Sequence, residues 1–418
     1  MTNNNADLVL RHVRLVDPER EAVLDDRRVS IVGGRITEVG PDDGSAVGGA
    51  EVDGAEVDGA GLFALPGLID CHVHATAVSA DFYEMTGMSP AYVAAGSAKI
   101  LAGMLSRGFT TVRDTGGADW GLAKAVEEGL FEGPRVVYCG KALSQTGGHG
   151  DTRPGGREVI DNGAYTPDIG RVCDGVTGVR VAVRDEVRKG ASHIKLMLSG
   201  GCASPTDRID GLQFSDEEVK AAVAQAGAAG VYCAGHAYTS DAVARALRLG
   251  VRTIEHGNLI DEETARLFAQ HDAFYVPTMI AYTALEEEGY KFGVTEDNLV
   301  KVKQVRVGAL RALELADRAG ADIAYGSDLL GGLHYRQSEE FALRAEVQTA
   351  AAILRSATTV GARLLRRSGE LGEISVGARG DAVLTYQNPL DDIQILAEPQ
   401  TSIAYVVKDG RITRRPAQ

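Results

Sequence analysis

Two histidines one residue apart, His72 and His74, close the stretch "LPGLIDCHVHA" in a chain that has only nine histidines among 418 residues. Residues i and i+2 of a β-strand point to the same face. A strand running out through "GLFALPGLIDCHVH" therefore aims both imidazoles at one point, as a divalent ion such as Zn²⁺ requires. A histidine pair also occurs by chance, so further ligands are needed. They stand at the ends of later apolar runs: Lys195 in "SHIKLMLSGG", His236 in "GVYCAGHA", His256 in "RTIEHGN" and Asp328 in "ADIAYGSD". Four histidines, a lysine and an aspartate suit a metal pair. The lysine is the unexpected member. An ammonium beside two cations is repelled and has no lone pair to give, so Lys195 is a neutral amine, lies outside the site, or is carboxylated. A carbamate carries two oxygens that can bridge two metals, and carboxylated Lys195 is the working expectation.

Something must bring these groups together. Eight β-rich runs, at 63–74, 109–117, 134–143, 192–201, 230–237, 252–258, 273–279 and 321–328, alternate with longer helical patterns. Helical stretches such as "SDEEVKAAVAQAGAAG" and "TSDAVARALRLG" open on Ser, Thr or Asp and close on Gly, the usual start and stop signals. Eight βα units with right-handed crossovers predict an α/β fold of the (β/α)8 TIM-like barrel type, with chemistry at the C-terminal strand ends. A doubly wound open sheet would need a Gly-rich phosphate turn after its first strand, and none is present. Before the barrel, residues 7–60 alternate like short strands around the Gly/Ala/Asp-rich "DDGSAVGGAEVDGAEVDGAG", read as loop and hairpin. The C-terminal end returns to that style. "IVGGRITEV" and "VVKDGRITR" echo each other, and the two ends are expected to pair into a small β-sandwich that covers their edges. The predicted division is 1–62 and 368–418 for the sandwich and 63–367 for the catalytic barrel.

With 44% hydrophobic and 24% charged residues, the chain can bury a large core. A net charge of -15 disfavours nucleic acid and anionic membrane as partners. The N-terminus lacks a basic region followed by an apolar one, no apolar run approaches the length of a bilayer span, and the five cysteines lack C-x-x-C spacing. A cytoplasmic protein is expected. A homo-oligomer is left open.

The segments "HVH", "HIKLMLSGG", "GHAYT", "TIEHGNLID" and "GSDLLG", with "LSQTGGHGD", "GGCASPTD" and "DEETARL" between them, together resemble the amidohydrolase superfamily. Within it they resemble the prolidase-like branch of binuclear dipeptidases with a lysine carbamate, over residues 60 to 385. The resemblance implies two divalent ions, zinc by expectation, with His72, His74 and Asp328 on one, His236 and His256 on the other, and N6-carboxylated Lys195 shared by both. It also implies hydrolysis of an amide bond in a small dipeptide or N-acyl amino acid by a metal-bridging hydroxide, with an Xaa-Pro dipeptide as the first substrate to try. Asp328 would carry the proton from water to the leaving nitrogen.

An oxyanion also needs donors. Tyr238, two residues past His236 and on its side of the strand, is the first candidate, and the "HAY" motif supports it. His149 is the second, aimed at the oxyanion or at the substrate's terminal carboxylate. Each has a plain alternative: Tyr238 as a packing layer, His149 as the organiser of its own Gly-rich loop. His193 is expected to be an interior, hydrogen-bonded histidine. His334 on "GGLHYRQSEE" either lines the substrate pocket or sits in solvent. Arg153, Arg208 and Arg336 are candidate carboxylate clamps, with solvated loop charges as the default. Three other functions stay open. A carboxypeptidase or ochratoxin-type N-acyl amino acid hydrolase keeps both metals. A mononuclear deaminase or imidazolonepropionase-like enzyme needs no strand-four lysine. A scaffold without chemistry should have lost ligands, and all six are present.

Overall fold

The structure, a computed structural model, describes residues 7–44, 55–153, 156, 167–204 and 206–416. Part of the stretch read as loop and hairpin, residues 45–54, and parts of "TGGHGDTRPGG" and "GGCASPTD" lie outside the described residues.

The chain begins with β1 (Leu8–Asp17), β2 (Ala22–Val32), β3 (Arg35–Pro41), β4 (Ala55–Asp58) and β5 (Phe63–Pro66). The central part carries β6 (Leu68–Val73), β7 (Phe109–Asp114), β8 (Arg135–Tyr138), β9 (Ala142–Ser144), β10 (Gly170–Val172), β11 (His193–Met197), β12 (Tyr232–Thr239), β13 (Thr253–Leu259), β14 (Phe274–Val276) and β15 (Asp322–Ile323). It ends with β16 (Ala382–Thr385), β17 (Ile403–Lys408) and β18 (Arg411–Arg414).

The two ends of the chain share one sheet, in the order β18-β17-β16-β5-β1-β2-β3 with β4 beside β1. This sheet curls back on itself: Ile36 donates to the Ala378 carbonyl and Gly380 to that of Gly34, both at 2.9 Å. Leu10, Ile31 and Ile36 from one end then pack in a single core with Ala382, Leu384 and Val407 from the other. The repeated "GRIT" segments have a common cause. Each starts the second strand of a two-residue hairpin, with Val32 opposite Arg35 and Lys408 opposite Arg411. Both central pairs, Gly33-Gly34 and Asp409-Gly410, have positive φ. Such turns match the right-handed twist of the strands they join.

The central strands form two parallel sheets, β6-β7-β8 and β10-β9-β11-β12-β13-β14-β15. Backbone bonds cross from one sheet to the other on both sides. Ser192, just before β11, donates to Tyr138 of β8 at 2.9 Å, and Cys71 of β6 donates to Tyr325, past β15, at 2.7 Å. Helices follow the strands where the cap residues predict them. Ser215 and Glu218 make a reciprocal capping box at the start of Asp216–Ala228, and Thr239 caps Ser240–Arg248. Gly230 and Gly250 follow these helices with φ of 76° and 90°.

Three of the eight predicted runs differ in the structure. The first, 63–74, divides at Gly67 between the terminal sheet and the central one. The Gly67 N–H reaches the Asp381 carbonyl, and a Cβ there would lie 2.1 Å from the Thr110 hydroxyl, so only glycine lets the strand pass. The third run divides at Gly140, which has φ of 74°, into β8 and β9. In the eighth only Asp322–Ile323 is regular strand, and the residues after it are held by single backbone bonds to Tyr275, Ser356 and His72.

Replacing Gly67 by Ala is expected to cost about 1–3 kcal/mol in a urea titration, the usual penalty for overpacking a filled site. Gly227→Ala, in an exposed helical position with nothing within 4 Å of the new Cβ, should instead gain about 0.4–1 kcal/mol. Equal effects of the two would show that Gly67 is not the tight junction described.

Candidate metal centre

Regular strand alternation carries part of the site. His72 lies in β6 with His74 just past its end, and their ring centroids are 5.4 Å apart. On β12, His236 and Tyr238 share a face, with centroids 4.7 Å apart. Lys195 lies on β11 two residues before Met197, which is in register with His236. Alternation would then send Glu255 and His256 of β13 to opposite sides. It does not, because His256 has φ of 77°. Glu255 reaches His72 Nδ1 at 2.8 Å, while the His256 ring lies 5.0 Å from that of His72. Asp328 and Thr278 are also left-handed, at 51° and 47°. Non-glycine residues in this conformation cost about 1–3 kcal/mol each and persist only where the surroundings enforce them.

Asp328 is the centre of the group. Its Oδ1 lies 3.3 Å from His72 Nε2 and 3.2 Å from His74 Nε2, and its Oδ2 3.8 Å from His256 Nδ1. Ligand atoms of His72, His74 and Asp328 all fall within 4.8 Å of one another. The outer nitrogens of these rings are already engaged. His72 Nδ1 donates to Glu255, and His74 Nδ1 donates to the Gly116 carbonyl at 2.9 Å. His236 Nε2 donates to the Gly200 carbonyl at 3.1 Å, and His256 Nδ1 meets Thr278 Oγ1 at 2.8 Å. Carboxylates and carbonyls only accept, so His72 and His74 each present a lone pair at Nε2, and His236 at Nδ1. His72 Nε2 is buried without a hydrogen-bond partner. A buried acceptor of this kind beside a carboxylate suits a cation.

The electrostatics suit ligand chemistry at His236 and His256, whereas at His74 the lowering by burial is outweighed by Asp328, which raises it. Burial holds His236 and His256 well below the ordinary imidazole range, and the Lys195 charge adds to the effect on both. Both are thus neutral, the form that binds metals. Burial opposes ionisation of Asp328, but His72, His74 and His256 overcome it and hold the carboxyl well below its usual range. Burial also lowers Lys195 against the attraction of Glu255 and Asp328. Its side chain is 1% exposed and makes no hydrogen bond to a described residue.

A second layer holds the strand ends. Asp70 accepts from the His72 N–H at 3.0 Å, from Ser327 Oγ at 2.6 Å and from Gln337 Nε2 at 2.8 Å, tying β6 to the segment that carries Asp328. Asp114 accepts from the N–H groups of Ala75, Gly116 and Ala118, and so places the carbonyl that His74 uses. Arg113 donates to both Glu255 oxygens at 2.8 Å. Sequence reasoning did not single out these residues. The available signal was charge inside otherwise apolar strands: Asp70 in "GLIDCHVH", Arg113 in "FTTVRDTGG" and Glu255 in "RTIEHGN".

Of the candidates around the centre, His149 stacks on His236 with centroids 4.3 Å apart, and its Nδ1 meets Ser204 Oγ at 2.8 Å. Burial pushes it down to about 4. The Tyr238 hydroxyl is directed at Cys202 Sγ and accepts from Tyr282 at 3.1 Å, and burial keeps both phenols protonated. His334 is buried, with Nε2 donating to the Ala77 carbonyl at 3.1 Å. His193 is interior, with Nδ1 3.1 Å from Ser192 Oγ. The three rim arginines are engaged locally: Arg153 with Asp151, Arg208 with Asp210, and Arg336 with Glu339 and Glu287. Beside His149 opens a cavity of about 210 Å³, walled by Phe82, Tyr83, Leu285, Val294 and Leu330. Phe82 joins it to the centre, its ring 6.5 Å from that of His74.

The chain is similar to known proteins along most of its length. The profile of the amidohydrolase family matches residues 63–413. A crystal structure of a prolidase complexed with N-methylphosphonate-L-proline is 47% identical, with a TM-score of 0.94 over 98% of this chain and 100% of that one. A Xaa-Pro dipeptidase with methionine bound in its active site is 29% identical, with a TM-score of 0.85 over 97% and 99%. Ochratoxinase of Aspergillus niger is 31% identical over 366 residues, 84% of this chain and 76% of the relative. The family match extends over most of the chain and includes every strand that supplies the centre, so this protein is a member of the amidohydrolase family, a hydrolytic enzyme acting on amide bonds.

Proposed function

We propose that the protein is a binuclear metal-dependent hydrolase of Xaa-Pro dipeptides or closely related N-acyl amino acids. The observation that carries this reading is the convergence on Asp328 of imidazole lone pairs whose outer nitrogens are already occupied. His72, His74 and Asp328 would hold one divalent ion, and His236 and His256 the other, with zinc as the first candidate. Lys195, carboxylated, would be shared. Its burial favours the neutral amine, the form that adds CO₂. The two parallel sheets, bonded to each other at both sides, are read as a closed (β/α)8 barrel with the centre at the C-terminal strand ends. The terminal strands form its accessory β-unit. The five cysteines are unpaired, which supports a reducing compartment such as the cytosol. No helix among the described residues is long and apolar enough to cross a membrane.

When bound, the ions supply Lewis acidity and a nucleophile at neutral pH. Asp328, ionised and in contact with three imidazoles, takes the proton of the attacking water and returns it to the amide nitrogen as the C–N bond breaks. Tyr238 stays protonated and donates towards the developing oxyanion. His149, neutral and bordering the cavity, contacts the substrate's acyl or carboxylate end. The apolar walls of the cavity suit a proline ring or an uncharged side chain. They also favour a second reading, hydrolysis of an N-acyl phenylalanine, which the ochratoxinase similarity supports. Arg153 and His334, which are not among the residues that wall the cavity, are further substrate-binding candidates. Arg153 can act there only by leaving Asp151.

Chelation should abolish turnover of Xaa-Pro dipeptides, and zinc should restore it with two ions per chain by elemental analysis. One ion per chain would favour the mononuclear deaminase-like reading. Native mass spectrometry should find an increment of one CO₂, lost in Lys195→Ala together with the second ion. At saturating metal, Asp328→Asn is expected to lower kcat by about 10²–10⁴-fold. Near-normal turnover in that variant would remove Asp328 from the proton transfer.

A further inference from the structure

Glu255 and Arg113 are fully buried charges that the proposed reaction does not use. Glu255, Arg113 and His72 are each 0% exposed. The carboxylate makes four hydrogen bonds with three partners. Oε2 accepts from His72 Nδ1 at 2.8 Å, and Arg113 Nη2 reaches both oxygens at 2.8 Å. Thr253 Oγ1 donates to Oε1 at 2.6 Å and itself accepts from Arg113 Nη1 at 3.0 Å. Arg113 Nε donates to the Cys71 carbonyl, one residue before His72. Three strands, β6, β7 and β13, are therefore locked around one imidazole edge.

We infer that Glu255, held by Arg113, is the positioning residue that fixes His72 as the Nδ1–H tautomer and turns its Nε2 lone pair to the metal point beside Asp328. The inference rests on the metal reading proposed above. The atom it directs is the one left without a hydrogen bond: His72 Nε2 is buried, unpartnered and 3.3 Å from Asp328 Oδ1. A carboxylate can only accept, so the proton between the two groups belongs to His72. An anionic acceptor also makes the imidazole a stronger donor to a cation, which a neutral acceptor in the same place would do less well. If Glu255 served only to balance Arg113 across the interior, it would need neither the second contact to His72 nor a place next to a ligand.

The test uses Glu255→Gln, which keeps the shape and removes the charge. By chelator competition on the folded variant, the zinc affinity of one ion should fall by about 10–100-fold while that of the other is kept; the melting temperature of the metal-free variant falls as well, because Arg113 loses its buried counter-charge. A folded variant that binds both ions within about twofold of wild type overturns the inference. Should Glu255→Gln not fold, the wild-type protein decides. With ¹⁵N-histidine labelling of the metal-free protein, at a pH where the His72 ring is neutral, its proton should sit at Nδ1, and a neutral ring with its proton at Nε2 overturns the inference. The two failures are separable. Wild-type protein that takes up no divalent ion overturns the metal reading and this inference with it, whereas normal uptake with an indifferent variant overturns this inference alone.

Discussion

The arrangement depends on a compensation of charge in the dry interior. Removing an aspartate, a glutamate, a lysine, an arginine and four histidines from water is costly unless each finds a partner. The chain meets this with two linked contacts. Arg113 neutralises Glu255 at one edge of His72, and Asp328 faces the other edge together with His74 and His256. His72 is the shared member, so its ring orientation and the charges on either side are fixed together. Its backbone takes part as well: the His72 carbonyl accepts from both Ser327 and Asp328. The carboxylate and the imidazole that approach each other through side chains are thus also neighbours through main chain.

Much of the site was legible in the sequence because the barrel-type pattern places chemistry at strand ends. His72, His74, Lys195, His236, His256 and Asp328 each follow an apolar run, and the structure gathers the strand ends that carry them. Alternation correctly put His74 with His72 and Tyr238 with His236. It could not show that both Glu255 and His256 face the centre, because that depends on a left-handed backbone at a non-glycine residue. Such a conformation is imposed by tertiary contacts, among them Thr278 on His256, and leaves no mark in composition. The divided runs have a related cause. Gly67 and Gly140 permit a turn, but whether a strand changes sheet there depends on Thr110 and Asp381 from remote segments.

The rim arginines show the converse. Each has a carboxylate two or three residues away, Asp151, Asp210 or Glu339, and each pairs with it. This local pairing was visible in the sequence, and it weakens a reading of these side chains as clamps waiting for a substrate carboxylate. In the function proposed above, recognition falls to the cavity beside His149, with its apolar wall of Phe82, Tyr83 and Leu285. Such a wall selects by shape and loss of water, and one methylene in a pocket of this kind is worth only about 1–3 kcal/mol. Several neutral side chains of similar volume can therefore be accommodated.

β5 and β6 are separated by a single glycine, and β5 finds one of its two sheet neighbours in β16, from the opposite end of the polypeptide. A nascent chain emerging from the ribosome must therefore keep the segment leading into His72 unpaired on that side until Ala382–Thr385 has been made, more than 300 residues later. Long-range pairings of this type slow folding and leave a bare strand edge exposed meanwhile. Loss of the chain from Ala382 onward would uncover that same edge, so a truncation far from the centre in sequence would act on it directly.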